Sequence, residues 1–207
     1  MTWSILFHER DSGRIAIAVA TKFFAVGARV PFIEPLKGGL CTQALLNPLY
    51  GPDGLNLIRA GASAGQVVKT LTEADAGRAH RQLHVLGADG KFAAHTGTEC
   101  VPWCGHTIEQ DFSVAGNMLA GPQVVSETAR YFRENAAMTL PRRLIGALRA
   151  GERAGGALFI AHDVRLALDD HFLSRLGVRA DGQLVGHGAG GDEQRGAFAE
   201  QRRCHFL

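Results

Sequence analysis

The chain has 207 residues, the length of one domain of ordinary size. Its composition, 46% hydrophobic and 20% charged, argues against disorder, and no apolar run reaches the roughly 18 residues of a membrane-spanning helix. With 22 basic and 20 acidic side chains, the formal net charge of +2 is too small to favour nucleic-acid binding.

The chain opens with a predicted β-hairpin. Apolar residues run or alternate over Thr2–His8 and Arg14–Thr21, and the Asp11-Ser12-Gly13 turn separates them. A loop rich in Phe, Gly and Pro follows, and then a short strand is expected over Gly39–Ala44. The turn-forming residues of segment 47–54 end this first group of strands.

Two helix pairs alternate with the predicted strands. Asp53 caps a helix that ends near Ala60, and Ser63 begins a second helix that runs to about Glu73. The next predicted elements are a hairpin, a strand and two amphipathic helices: Arg81–Leu86 with Lys91–His95, Phe112–Leu119, Gln123–Ala136 and Leu140–Ala150. This order favours an α+β fold in which helices stack on sheets.

The pattern weakens after the Gly155-Gly156 pair. Ala157–Ala161 has the composition of a strand, and Leu166–Leu176 that of a short helix. Residues 177–207 carry glycines among polar residues and are predicted to form an irregular tail. We therefore expect residues 1–176 to form a single domain.

The cysteines and the N-terminal segment bear on localisation. The four cysteines, at positions 41, 100, 104 and 204, are too sparse for a disulfide scaffold. The N-terminal segment has no early basic residue and no apolar stretch of signal-peptide length. These features predict a cytoplasmic protein with reduced thiols.

A Cys-x3-Cys-x-His arrangement raises the question of zinc. Its members are Cys100, Cys104 and His106, but a structural zinc site needs a fourth ligand, and no second cluster has the required spacing. We predict no metal and no organic cofactor. A zinc-stabilised interaction protein is the weaker alternative.

Thr2 is the first candidate for chemistry. Methionine aminopeptidases remove Met1 when a small residue follows it, and the mature chain would then begin with a threonine. A free α-amino group has a reference pKa of about 7.7–8.0, so much of it is neutral near pH 7. Thr2 would thus supply a nucleophile and a general base in one residue, and the hairpin would hold both on a sheet.

Ordered motifs extend over about residues 2–156. They are Thr2-Trp3-Ser4-Ile5, Arg10-Asp11-Ser12-Gly13, segment 18–27, Thr42-Gln43-Ala44, Asn47-Pro48, Tyr50-Gly51-Pro52, Ala94-His95-Thr96-Gly97, Cys100-Val101-Pro102-Trp103, Gly105-His106 and segment 116–122. On these motifs the chain resembles the family called domain of unknown function 1028. That family is similar to the N-terminal-nucleophile hydrolases, so the resemblance implies a four-layer αββα sandwich and amide-bond hydrolysis.

The resemblance also implies site residues. Thr2 would attack a carbonyl, and Lys22, at the end of the second strand, would lower the pKa of the Thr2 amine. Asn117, with Gly116 before it, would donate hydrogen bonds to an oxyanion. A solvated lysine and a buried structural asparagine are the alternatives.

Three further residues match the family pattern: Asn47, His95 and Thr96. They are expected to line a substrate pocket. A structural role in local hydrogen bonding is an equal alternative for them.

The C-terminal part departs from the family pattern. In the family, the glycine pair precedes an Asp, a basic segment and an Arg-Gly-x-Gln-Ser-Ala-Ala motif. In this chain, Gly155-Gly156 is followed directly by Ala157-Leu158-Phe159-Ile160. The loss of a strand partner would expose a sheet edge that a second subunit would cover. A homo-oligomer is therefore the hypothesis for assembly.

Two functions follow from the sequence. The first is an N-terminal-nucleophile amidohydrolase that cleaves an amide bond in a small molecule or peptide, with no nucleic-acid or membrane partner. The alternative is a catalytically inactive αββα module that binds a small ligand or cell-wall fragment.

Overall fold

The computed structural model describes residues 1–156 and a strand at 164–168. Within these residues the chain forms two antiparallel sheets and five α-helices, which confirms the α+β class. The strands are β1 (Thr2–Glu9), β2 (Arg14–Thr21), β3 (Pro31–Glu34), β4 (Gly38–Ala44), β5 (Arg81–Leu86), β6 (Phe92–Thr96), β7 (Gly105–Ile108), β8 (Phe112–Asn117) and β9 (Val164–Leu168). The helices are α1 (Val26–Arg29), α2 (Tyr50–Arg59), α3 (Ala64–Glu73), α4 (Gln123–Glu134) and α5 (Leu140–Gly151).

The first strand lies at the centre of the larger sheet. That sheet has the order β7-β8-β1-β2-β9, and the smaller one has the order β3-β4-β5-β6. The predicted opening hairpin is confirmed, with Thr2 opposite Thr21. On its other side β1 pairs with β8, which places Asn117 opposite Thr2. Thr2 is therefore flanked by a strand end on each side.

Alternation along β1 separates two packing surfaces. Trp3, Ile5 and Phe7 are buried in a cluster with residues of α4 and α5, so this face of the sheet is covered by that helix pair. Ser4 and Leu6 face the smaller sheet, whose strands β4 and β5 contact β1. Thr2 shares the face of Ser4, so its side chain also belongs to the space between the sheets.

The other helix pair covers the outer face of the smaller sheet. Helices α2 and α3 contact β3–β6 through a separate apolar cluster that includes Leu40, Ile58 and Leu83. The predicted start of α3 is confirmed by a capping box. Gln66 Oε1 accepts a hydrogen bond from the Ser63 amide at 2.8 Å, and Ser63 Oγ accepts one from the Gln66 amide at 3.3 Å.

Two edge strands, the short helix α1 and the start of α2 were not predicted. The strands are Pro31–Glu34 and Gly105–Ile108, and their four residues each give too short a pattern to read. Helix α2 begins at Tyr50 rather than at Asp53. Its first turn admits Pro52, and Gly51 leaves room for the Phe32 ring, which a side chain at this position would overlap.

The prediction after residue 156 is partly wrong. Residues 166–168 belong to β9, whereas a helix was predicted over Leu166–Leu176. Strand β9 pairs with β2 over Ala16–Ala20, so β2 has a partner strand from the same chain on the side away from β1. The predicted strand Ala157–Ala161, positions 169–176 and the tail 177–207 lie outside the described residues.

The longest helices of the described residues have 12 residues each. No helix in this part of the chain is long and apolar enough to cross a membrane.

Two helical glycines provide a matched test of the packing around Trp3. An alanine methyl at Gly151 would overlap the Thr128 hydroxyl and lie 2.9 Å from Trp3 Nε1. We expect Gly151→Ala to lower the free energy of unfolding by about 1–3 kcal/mol in urea titrations. Gly65→Ala meets no atom of the described residues within 4 Å and should raise the free energy of unfolding by up to about 1 kcal/mol. Equal effects of the two substitutions would contradict this packing.

Candidate active site

Thr2 lies in a hydrogen-bonded group at one end of the space between the sheets. Its Oγ1 is 2.9 Å from Thr21 Oγ1, and only 6% of the residue is exposed. Thr21 Oγ1 donates to the Met1 carbonyl at 2.8 Å and accepts from the Phe23 amide at 3.2 Å. Since the single hydroxyl hydrogen of Thr21 goes to Met1, Thr2 must donate to Thr21. Met1 thus determines the direction of the Thr2 hydroxyl.

The amine of Met1 lies beside this group. Its nitrogen is 3.2 Å from Met118 Sδ. Burial, and then the positive charge of Lys22, lower the pKa of this amine. Lys22 follows the last residue of β2, and the structure places its charge close to the start of the chain, as the sequence predicted.

Asn117 ends β8 and is 2% exposed. Its Nδ2 donates a hydrogen bond to Gln82 Oε1 over 3.0 Å. Gly116 pairs with Trp3, and its carbonyl accepts from Gln82 Nε2 at 2.9 Å. A methyl group at Gly116 would lie 3.0 Å from Trp3 Cβ, so the close approach of the two strands requires glycine.

Thr96 reaches the same group through Gln82. Its Oγ1 lies 2.9 Å from Gln82 Nε2 and 2.8 Å from Nδ1 of the exposed His106. The structure therefore brings Thr2, Lys22, Gly116, Asn117 and Thr96 to one end of the two sheets.

The other two predicted site residues hold neighbouring loops. His95 Nε2 is 2.8 Å from the Arg78 carbonyl, and its position next to Thr96 on β6 directs it to the opposite face of the strand. Asn47 donates from Nδ2 to Asp75 Oδ2 at 3.2 Å and accepts from the Leu49 amide at 3.0 Å. Neither residue has a hydrogen bond to Thr2 or Asn117 among those of the described residues.

Asp75 anchors the loop that carries Asn47. Arg81 Nε donates to its Oδ2 at 2.8 Å, and the Gly77 amide donates to its Oδ1 at 2.8 Å. The hydrogen bond from Arg81 is the main reason why the pKa of Asp75 lies well below its usual range. The contacts of Asn47 therefore match the structural alternative that the sequence left open.

A buried chain of polar side chains joins the two sheets and was not predicted. Starting from Gln82, it passes through Gln43, Ser4 and His84 to Ser113. All five residues are at most 1% exposed. The sequence signal was the spacing of polar residues on one face of otherwise apolar strands, Gln82 with His84 and Ser113 with Asn117.

His84 lies at the centre of this chain. Complete burial, and after it the charge of His106, lower the pKa of His84 to about 3. His84 is therefore neutral at physiological pH and can donate from one ring nitrogen while it accepts at the other.

The proposed zinc ligands do not form a metal site. Cys100 Sγ donates to the Arg81 carbonyl at 3.3 Å, and Cys104 Sγ donates to the Cys100 carbonyl at 3.6 Å. Within the part of the chain that the structure describes, no three His, Cys, Asp or Glu side chains are arranged to hold a metal ion.

Exposed apolar side chains lie near the strand ends that flank Thr2. Phe23 and Met118 follow the strand ends that flank Thr2 and are 60% and 38% exposed. The Met118 amide bonds to the carbonyl of the exposed Val101 at 3.1 Å. This surface would favour apolar groups over charged ones.

The buried histidine predicts a pH dependence of stability. The unfolded chain protonates His84 near pH 6.5, whereas the folded chain does so near pH 3. As the pH falls between these values, only the unfolded state takes up this proton. His84 should then lower the free energy of unfolding by up to about 1.4 kcal/mol per pH unit.

Urea titrations between pH 4 and 7 would measure this slope in the wild type and in His84→Gln. The slope should be smaller in His84→Gln than in the wild type. Identical slopes in the wild type and His84→Gln would contradict a neutral buried imidazole.

Comparisons with known proteins identify the family. The crystal structure of protein SPO2555 from Silicibacter pomeroyi, of the DUF1028 family, matches this chain with a TM-score of 0.70 and 33% identity, over 74% of this chain and 68% of that one. No curated protein matches. The sequence model of a family of unknown function, DUF1028, matches residues 2–161, which include Thr2, Gln82 and Asn117. The chain therefore belongs to the DUF1028 family.

Proposed function

We propose that the protein is an N-terminal-nucleophile amidohydrolase that cleaves an amide bond in a small molecule or peptide, with Thr2 as the nucleophile after removal of Met1. One observation carries the proposal. Thr2 begins the central strand and lies opposite Asn117, next to a chain start where burial and Lys22 lower the pKa of an amine.

The layers support the proposal. One helix pair packs on each sheet, and the sheets contact each other through β1, β4, β5 and β8. These contacts support the four-layer αββα sandwich that the resemblance to the N-terminal-nucleophile hydrolases implies. Thr2 lies between the two inner layers, at the end where the polar side chains gather.

In the first step, the neutral α-amine of Thr2 takes the hydroxyl proton while Oγ1 bonds to the substrate carbonyl carbon. The carbonyl electron pair moves to its oxygen, which becomes an oxyanion. An N–H group of Asn117 donates to this oxyanion, and one such donor contributes roughly 2.7–4 kcal/mol. The C–N bond then breaks, and the α-ammonium returns a proton to the leaving amine. An ester of Thr2 remains.

In the second step, water attacks this ester. The α-amine accepts a proton from the water and then transfers one to Thr2 Oγ1 as the ester bond breaks. The products are the free carboxylic acid and the original threonine. The exposed apolar residues Phe23, Val101 and Met118 near the Thr2 end would favour substrates with an apolar group next to the amide.

A catalytically inactive binding module is the second candidate. With Met1 retained, the Thr2 hydroxyl is committed to Thr21, and the nitrogen of Thr2 is a peptide nitrogen that cannot act as a base. A retained Met1 would therefore favour ligand binding over hydrolysis.

Intact-protein mass spectrometry separates the two candidates. We expect a mass that lacks Met1, together with hydrolysis of members of an amide panel graded from apolar to charged acyl groups. Thr2→Ala retains a small second residue and should also lose Met1, but it should abolish hydrolysis. Thr2→Ser should retain measurable activity because it keeps both hydroxyl and amine. Retention of Met1, or hydrolytic activity in Thr2→Ala, would contradict the hydrolase proposal.

Lys22 predicts a shift in the pH profile. Its charge lowers the pKa of the Met1 amine, and we expect it to act in the same way on the Thr2 amine once Met1 is removed, so Lys22→Gln should raise the pKa of that amine. Because the base acts in its neutral form, the acidic limb of kcat/KM should move to higher pH. Lys37→Gln, at an exposed position, should leave the limb in place. An unchanged limb in Lys22→Gln would remove Lys22 from the proposed machinery.

A further inference from the structure

We propose that Gln82 is a positioning residue that fixes the orientation of the Asn117 amide beside Thr2. The proposal rests on the hydrolytic function proposed above and adds to it a residue from the opposite sheet. Gln82 lies on β5, is 0% exposed, and joins the two sheets at the end where Thr2 is placed.

The backbone determines which end of the Gln82 amide is nitrogen. Two main-chain carbonyls, those of Gly105 and Gly116, lie 3.1 and 2.9 Å from Nε2. Carbonyl oxygens only accept hydrogen bonds, so the amide group that faces them must be the donor. The Gln82 oxygen therefore faces the other way, towards Gln43 and Asn117.

The orientation of Asn117 follows from that of Gln82. Gln82 Oε1 has two lone pairs, and it accepts from Gln43 Nε2 at 2.8 Å and from Asn117 Nδ2 at 3.0 Å. An Asn117 amide turned by 180° would bring two oxygens together without a hydrogen between them. The nitrogen of Asn117 is thereby held towards Gln82, which leaves its second N–H for the oxyanion.

The same reasoning continues to the far end of the chain. Gln43 Nε2 also donates to the Ala115 carbonyl at 3.1 Å, so Gln43 Oε1 faces Ser4 and accepts from its hydroxyl at 2.7 Å. Ser4 Oγ has then used its hydrogen and must accept from His84 Nε2, 2.9 Å away. His84 Nδ1 therefore accepts from Ser113 Oγ at 2.7 Å. The neutral Nε2–H tautomer of His84 is the only one that fits.

This tautomer gives a test that requires no substrate and no variant. In ¹⁵N NMR of the histidine-labelled protein, His84 should show a protonated Nε2 and an unprotonated Nδ1 at pH 7. An Nδ1–H tautomer would reverse the hydrogen bonds at Ser4 and overturn the deduced orientation of the network.

A double-mutant cycle tests the role in catalysis. Gln82→Glu keeps the size of the side chain but turns an oxygen towards the two main-chain carbonyls, and their repulsion should displace the side chain from Asn117. We expect kcat to fall about 10²–10³-fold, with KM little changed, because the oxyanion donor loses its orientation. In an Asn117→Ala background the same substitution should have little further effect on kcat. Gln110→Glu, at an exposed position, is the matched control and should keep wild-type kcat.

A merely structural role predicts a different result. Gln82→Glu would then lower activity by the same factor with and without Asn117, in proportion to the folded fraction seen by circular dichroism. Such additivity overturns the proposal. If Gln82→Glu does not fold, Gln82→Met, which lacks a charge, replaces it in the cycle under the same expectations.

The outcomes also separate this proposal from the one on which it rests. A wild-type protein that lacks Met1 and hydrolyses no amide contradicts the hydrolase function. In that case ¹⁵N spectra of the Asn117 side-chain amide still test Gln82, because Gln82→Glu should shift this resonance and Gln110→Glu should not. An unshifted Asn117 amide contradicts the role of Gln82 by itself.

Discussion

The packing of one sheet on the other depends on the hydrogen bonds between buried amides and hydroxyls at the Thr2 end. A buried polar group without a partner costs about 1–3 kcal/mol, so this end of the interface is stable only when its hydrogen bonds are made together. Gln82 is the central residue of this network, because its amide forms hydrogen bonds with residues of both sheets. The two main-chain carbonyls that orient Gln82 belong to paired strands, so their positions are fixed. The side chains of the network are therefore held in one orientation.

The two ends of the inter-sheet space differ in chemistry. Away from Thr2 the contact is apolar, with Leu6, Ile17 and Val19 of the larger sheet in a cluster that includes Cys41 and Leu86 of the smaller one. Apolar packing gives affinity between the sheets but little direction, whereas amide pairing gives direction. The directional hydrogen bonds thus lie at the end that holds the candidate nucleophile, where side chains need a defined position. The apolar contacts at the other end stabilise the packing of the two sheets.

The hairpin and both helix pairs could be predicted from the sequence because the patterns that indicate them are local. Alternation in Thr2–Thr21 and the cap at Ser63 are each contained within a few residues. The placement of Asn117 beside Thr2 came from the family resemblance, since a pairing across 115 positions leaves no local trace. Gln82 was missed for the same reason, and Leu166 was assigned to a helix because its apolar neighbours fit either period. Asn47 shows a different limit: a residue that matches a family motif can hold a loop through Asp75 instead of lining a pocket.

The carbonyl of Met1 bonds to Thr21 between two strand ends, which has a practical consequence for handling the protein. Any affinity tag or cloning remnant placed ahead of residue 1 continues from this crowded position. It also turns the first amine into an ordinary peptide linkage. In material purified with such an extension the nitrogen of Thr2 stays in a peptide bond, so an absence of hydrolysis would reflect the added residues and would not test the proposed function.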